Sequence, residues 1–246
     1  MSDRLEIDVV VAHLAEWPDL DPFAAVLADE ERDRARRFKV REARDVFTLA
    51  RGLLRFELSK RVGVKPNEIH FDLRSSGKPD LRRGMQGTPD WRFNVSHTGP
   101  HVVIAFALGV DVGIDIERLN RSVAPLEIAR RYFTPTELES LEALPEDARE
   151  RAFFAGWTRK EAIVKARGGT MAESLATLTV SLDPSAARPD YEDLAPAPQN
   201  SPCRLAAFEL RDHDLFGAVA LQSDRTPELR FRVPSRPGVR LAFLSP

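Results

Sequence analysis

One cysteine, Cys203, is present in the whole sequence. No internal disulfide can form, and no second thiol lies nearby to share a metal. Cys203 is therefore expected to be a buried structural thiol, in keeping with a reducing compartment. Long apolar runs are missing as well. The longest, Val102 to Leu108, is far shorter than the ~20 residues a membrane-spanning helix needs. The opening residues Met1-Ser2-Asp3-Arg4-Leu5-Glu6 carry neither the basic segment nor the apolar segment of a secretory leader. A cytoplasmic protein with no membrane contact is the expectation. Charge imbalance is also lacking: 36 basic residues face 38 acidic ones, for a net charge of -2. That balance, without basic and aromatic residues interleaved, argues against nucleic acid as a partner. Any anionic ligand has to be gripped by a local cluster.

What is present reads as a globular chain. Over 246 residues, 43% are hydrophobic and 30% charged, enough apolar side chain for a core and too little charge excess for disorder. Length suggests one large domain or two small ones. Strands are expected at 7–12, 69–73, 92–96, 102–108, 110–117, 177–182, 204–210 and 216–222. Helices are expected at 27–37, 43–62, 126–132, 135–143 and 149–167. In 43–62 the apolar residues Val46, Leu49, Ala50, Leu53, Leu54 and Leu58 recur at three- and four-residue spacing. Thr134-Pro135 with Glu137 marks a helix start, and Gly168-Gly169 a helix stop. Asp183 to Pro202 reads as a surface loop. The tail from Arg225 to Pro246 carries four prolines and yields no assigned element. Strands and helices do not alternate regularly, so the class is α+β.

Three segments carry chemistry. In Val112-Gly113-Ile114-Asp115-Ile116-Glu117, strand geometry sends Asp115 and Glu117 to one face and the isoleucines to the other. Two carboxylates on one face repel each other, and a hard divalent cation such as Mg2+ would relieve that. A solvated strand face is the plainer alternative. In Phe153 to Lys165, helical spacing puts Trp157, Glu161 and Lys165 on one face. Glu161 suits a metal ligand or a base and Lys165 a phosphate contact, although an ordinary Glu–Lys helix pair also fits. In Asn94-Val95-Ser96-His97-Thr98-Gly99, short polar donors at a strand end suit a phosphate. A solvated histidine is the alternative, and no nucleophile elbow is present.

Taken in this order, the three segments resemble the signature set of the surfactin-synthetase-activating type of 4'-phosphopantetheinyl transferases. Upstream, Arg36-Arg37-Phe38, Arg51-Gly52-Leu53-Leu54-Arg55 and Gly77-Lys78-Pro79 are similar to further landmarks of that family, so the likeness runs from about residue 30 to 182. The resemblance implies two similar α/β halves forming a pseudo-dimer, residues 1–109 and 110–224, with 225–246 as a tail. It implies coenzyme A in the cleft between the halves, and transfer of its phosphopantetheine arm to a serine of an acyl or peptidyl carrier protein. On this view Asp115, Glu117 and Glu161 hold Mg2+, and Lys165 meets the diphosphate. Ser96 and His97 face the phosphates, with Thr98 as a further candidate, and Arg51 and Lys78 neutralise the phosphates or frame the adenine. Glu161 serves as base, and the pseudo-dimer implies a monomer in solution. The basic run Arg32, Arg34, Arg36, Arg37, Lys39, Arg41 and Arg44 is interleaved with acids, so intrahelical pairing is its default role, with Arg34 and Arg37 as candidates for the nucleotide 3'-phosphate. One departure is Arg167-Gly168-Gly169-Thr170-Met171, where the family has a Gly-x-Gly-Leu-like stretch. A metal-dependent phosphohydrolase and a non-catalytic metal-binding interaction protein are the competing classes.

Overall fold

The computed structural model of the protein describes residues 3–82, 89–119, 124–169, 175–194, 202–211 and 214–234. Thr170, Met171 and the end of the tail beyond Pro234 lie outside the described residues. The chain begins with strand β1 (Arg4–His13), followed by the short helix α1 (Asp21–Ala25), α2 (Asp29–Arg37) and the long α3 (Arg41–Val62). Strands β2 (Phe71–Leu73), β3 (Pro79–Leu81), β4 (Trp91–Thr98), β5 (His101–Leu108) and β6 (Val112–Arg118) come next. Helices α4 (Pro125–Tyr132), α5 (Pro135–Glu142) and α6 (Glu146–Arg167) follow. The remaining strands are β7 (Leu178–Val180), β8 (Tyr191–Asp193), β9 (Arg204–Leu210), β10 (Leu215–Leu221) and β11 (Thr226–Arg232). The class is α+β, as the element order led one to expect.

Two larger sheets organise the molecule. One runs β11-β1-β5-β4 and the other β6-β10-β9. Alternation along the strands decides what each face meets. Val103, Ala105 and Ala107 of β5 join Ile7 and Val9 of β1 against Val112, Ile114 and Ile116 of β6, so the two sheets pack face to face. Val102, Ile104 and Phe106 point the other way and meet Leu49, Leu53, Leu54 and Leu58 of α3. Behind the second sheet, Phe216, Ala218 and Ala220 of β10 meet Phe153, Ala162, Ile163 and Ala166 of α6. The order of layers is thus helix, sheet, sheet, helix. Both backing helices are 22 residues long, and both end on a glycine in the left-handed region, Gly63 (φ 72°) and Gly168 (φ 67°), where a Cβ would be disfavoured.

Glycine also sets the closest approach in the second half. A Cβ on Gly113 would collide with the Ala162 carbonyl oxygen and the Ala166 amide nitrogen. Backbone of β6 therefore lies directly on backbone of α6. Thr134 caps α5 as its sequence promised, and the Glu137 side chain reaches back to the Thr134 amide (2.8 Å). Four elements were not read from the sequence, the short helix α1 (Asp21–Ala25) among them. β8 is a three-residue strand inside the proline-rich loop, paired with β7. β3 pairs with β2 around the expected turn at Gly77. β11 lies in the tail and pairs in parallel with β1 from Arg4–Thr226 to Val10–Arg232.

Candidate functional site

The candidate residues come from β4, β6 and α6. β4 and β6 are not neighbours in a sheet, but they lie side by side across the packed layers. The polar residues of β4 are spaced two apart, so Asn94, Ser96 and Thr98 share one face and reach β6 together. Asn94 Oδ1 accepts from the Ile114 amide (2.9 Å). The Ser96 hydroxyl donates to Asp115 Oδ1 (2.8 Å), and the Thr98 hydroxyl donates to Glu117 Oε2 (3.0 Å). Ser96 and Thr98, expected at a phosphate, thus hold the two carboxylates of β6. Asn94 was passed over as a functional residue. Its signal was the period-2 run Asn94, Ser96 and Thr98 alternating with Phe93 and Val95.

Helix α6 delivers the rest. Lys165 Nζ stands 2.6 Å from Asp115 Oδ1 and 3.8 Å from Glu161 Oε2, and it also donates to the Ser96 hydroxyl (3.3 Å). Asp115 and Glu161 are buried, at 4% and 3% exposure. Taking carboxylates out of water favours their neutral form. Burial accordingly raises the pKa of Asp115, with Lys165 and Ser96 opposing. Burial and the Asp115 charge raise that of Glu117. Glu161 is pushed up to about 7, first by burial and then by the Asp115 charge, against the pull of Lys165. The three acids therefore feel one another, and the Lys165 ammonium is the cation among them. The second oxygen of Asp115, Oδ2, is buried without a hydrogen-bond partner. Among the described residues, no three acidic, imidazole or thiol side chains stand in ready metal-holding geometry.

His97 sits exposed at the end of β4. Partial burial of its ring and the nearby Lys165 ammonium lower its pKa, and Arg34 adds to the effect. The Arg34 guanidinium itself rests over the Phe47 ring (5.2 Å). Arg51 is held by Glu31, with Nε to Oε1 at 2.7 Å, and stacks over Phe71 (4.7 Å). Glu31 also binds Arg55 (2.7 Å), so this trio ties α2 to α3. Lys78 Nζ donates to the carbonyl oxygens of Val112 and Lys165, each at 2.8 Å. Burial pushes its pKa down to about 8. Within the Trp157–Glu161 segment, the two cations next to Glu161 turn away from the site. Arg159 donates to the carbonyls of Asp183 (2.8 Å) and Ala186 (3.0 Å). Lys160 is buried against Glu137 and the Leu178 carbonyl (2.6 Å). The arrangement can hold anionic oxygen through Lys165 and His97, and can accept a proton at Glu161.

The sequence model of the 4'-phosphopantetheinyl transferase superfamily matches residues 111–213, and that of the N-terminal part of 4'-phosphopantetheinyl transferases matches residues 16–108. The 4'-phosphopantetheinyl transferase HetI of a Nostoc species is 39% identical over 169 residues, 68% of this chain and 69% of the relative. The 4'-phosphopantetheinyl transferase Sfp of Bacillus subtilis is 30% identical over 188 residues, 76% of this chain and 79% of the relative. A human relative, L-aminoadipate-semialdehyde dehydrogenase-phosphopantetheinyl transferase, is 27% identical over 162 residues, 63% of this chain and 52% of the relative. The chain belongs to the 4'-phosphopantetheinyl transferase superfamily. It is a phosphopantetheinyl-transferring enzyme, and neither a phosphohydrolase nor a non-catalytic binding module has support. No helix among the described residues is long and apolar enough to cross a membrane.

Proposed function

We propose that the protein moves the phosphopantetheine arm of coenzyme A onto a serine of an acyl or peptidyl carrier protein, using the β4–β6–α6 cluster. The carrying observation is the shared field of Asp115, Glu117 and Glu161 around Lys165, which leaves a buried carboxylate oxygen open and Glu161 with a pKa near neutrality. This donor set suits Mg2+: hard carboxylate oxygens whose mutual repulsion a divalent cation relieves. Asp115, Glu117 and Glu161 would hold the ion, which when bound neutralises the carboxylates and polarises the diphosphate.

The protein's own groups account for the rest. Lys165 balances charge on the diphosphate oxygens, and His97 and Ser96 face the phosphates, with Arg34 at the same end. Arg51 and Lys78 are engaged by protein partners, so this reading leaves the phosphate contacts to the other groups. The carrier serine oxygen bonds to the phosphorus nearer the pantetheine arm. The bond from that phosphorus to the bridging oxygen breaks, and adenosine 3',5'-bisphosphate leaves. Glu161 takes the serine proton. The two halves, 1–109 and 110–224, are read as a pseudo-dimer with the cofactor between them. The support is that each packs strands against a 22-residue helix, although β11 from the 225–246 segment completes the sheet of the first half. A monomer in a reducing cytoplasm follows, consistent with a buried free Cys203.

The test is the intact mass of an apo carrier protein incubated with the enzyme, Mg2+ and coenzyme A. Gain of one phosphopantetheine mass is expected. Release of nucleotide without any gain in carrier mass would refute the transfer.

A further inference from the structure

The turn between β2 and β3 carries an ammonium that the chemistry above does not use. Lys78 Nζ donates to two carbonyls that belong to different elements of the second half. Val112 opens β6, three residues before Asp115, and β6 is an edge of its sheet. An edge strand has carbonyls with no ladder partner. Lys165 O lies in the last turn of α6, where it accepts a 3.2 Å bond from the capping Gly168 amide, keeps a second lone pair free, and shares the electronegative helix end. One cation satisfies both groups. The same hairpin is anchored beside it: Arg74 binds Asp80 and Asp111 at 2.6 Å each, and Asp111 immediately precedes Val112. Arg74 also lies against Gly168, the residue that ends α6. Between these two grips, Gly113 lets the backbones of β6 and α6 touch, so no side chain spaces them there.

We propose that Lys78 is a positioning residue: by bonding Val112 O and Lys165 O together it sets the register of β6 against α6, and so the spacing of Asp115 from Lys165 and Glu161, without touching coenzyme A. The idea rests on the transfer chemistry proposed above for those three residues. It departs from the role that the Gly77-Lys78-Pro79 resemblance implied, a contact to the nucleotide.

The two roles separate kinetically. Loss of a direct phosphate contact weakens binding and raises KM for coenzyme A, whereas misplacement of reacting groups lowers kcat. An ångström-scale misplacement costs roughly tenfold to a hundredfold. For Lys78→Met, with apo carrier and Mg2+ saturating, kcat is expected to fall by that factor while KM for coenzyme A stays within about twofold. Amide hydrogen exchange of residues 163–169, measured without coenzyme A, is expected to accelerate in the variant. A tenfold rise in KM with kcat retained overturns the proposal, as does an unchanged kcat. If Lys78→Met does not fold, Arg74→Gln replaces it. Arg74→Gln frees the same hairpin from Asp111 and is expected to show the same split at about threefold; a KM-only effect there is equally fatal. Exchange in 163–169 reads the grip itself, so it distinguishes failure of this proposal from a wild-type enzyme that loads no carrier.

Discussion

Glu161 should weaken the fold it belongs to, and the cost can be worked out. Its pKa rises from an ordinary 4.5 to about 7 because the carboxylate is buried beside Asp115 and Glu117. At about 1.4 kcal/mol for each tenfold change in proton affinity, the ionised form costs the folded state roughly 3 kcal/mol. Residual solvent screens such charges, which brings the figure to about 2 kcal/mol. The sign follows from proton binding. Between pH 4.5 and 7 the folded chain keeps a proton that the unfolded chain has lost, so stability falls as pH rises through this window. Above pH 7 the full penalty applies, and below 4.5 it vanishes. Glu161→Gln removes the charge but keeps the shape, and Lys165 retains Asp115 at 2.6 Å. Urea denaturation in EDTA should therefore show the variant about 2 kcal/mol more stable than wild type at pH 8. At pH 4.5 the two should nearly coincide, and the variant should be inactive at either pH. A variant less stable than wild type at pH 8, or a gap equal at both pH values, would refute the reasoning.

Two further substitutions probe what holds α6 in place. Lys160→Met leaves Glu137 buried without its cation in the second core and should cost about 3–5 kcal/mol; a loss below about 1 kcal/mol in urea would show that the Thr134 and Val180 amides suffice for Glu137. Gly113→Ala drives a methyl into the backbone of α6 and should cost at least about 1–3 kcal/mol. Activity should fall with it, because the same contact spaces Asp115 from α6. Thermal melting at wild-type temperature would contradict the close approach.

Local signals carried far into the structure. The Thr134 cap, the glycine stop of α6, the helical stripe of α3 and the shared face of Asp115 and Glu117 all depend on neighbours in sequence, and each stands where the spacing put it. The misses depend on partners far along the chain. β11 reads as Thr-Pro-Glu-Leu-Arg-Phe-Arg among prolines, and only β1 makes it a strand. The sequence also does not show that β6 lies across from Ser96 and Thr98, so the bonds of their hydroxyls to Asp115 and Glu117 could not be read from it. Arg159 and Lys160 share a motif with Glu161, yet helical rotation turns them to a loop and to a buried acid. A run of charged residues identifies a helix of consequence but not which of its charges face the chemistry.

The pairing of β11 with β1 has a consequence for how the protein is made. Near the start of β1, the Arg225 side chain bonds the Arg4 carbonyl (2.9 Å), joining residues 221 positions apart. During synthesis β1 leaves the ribosome more than 200 residues before its parallel neighbour, as the separation of Arg4 from Arg225 by 221 positions requires. Until residue 226 is free, β1 has β5 on one side and an open edge on the other, the kind of edge that recruits strands from other molecules. Closure over so long a loop also slows folding. The nascent first sheet therefore waits, incomplete and adhesive, until β11 has been made, and shortening the chain before that strand would turn β1 from an inner strand into an open edge.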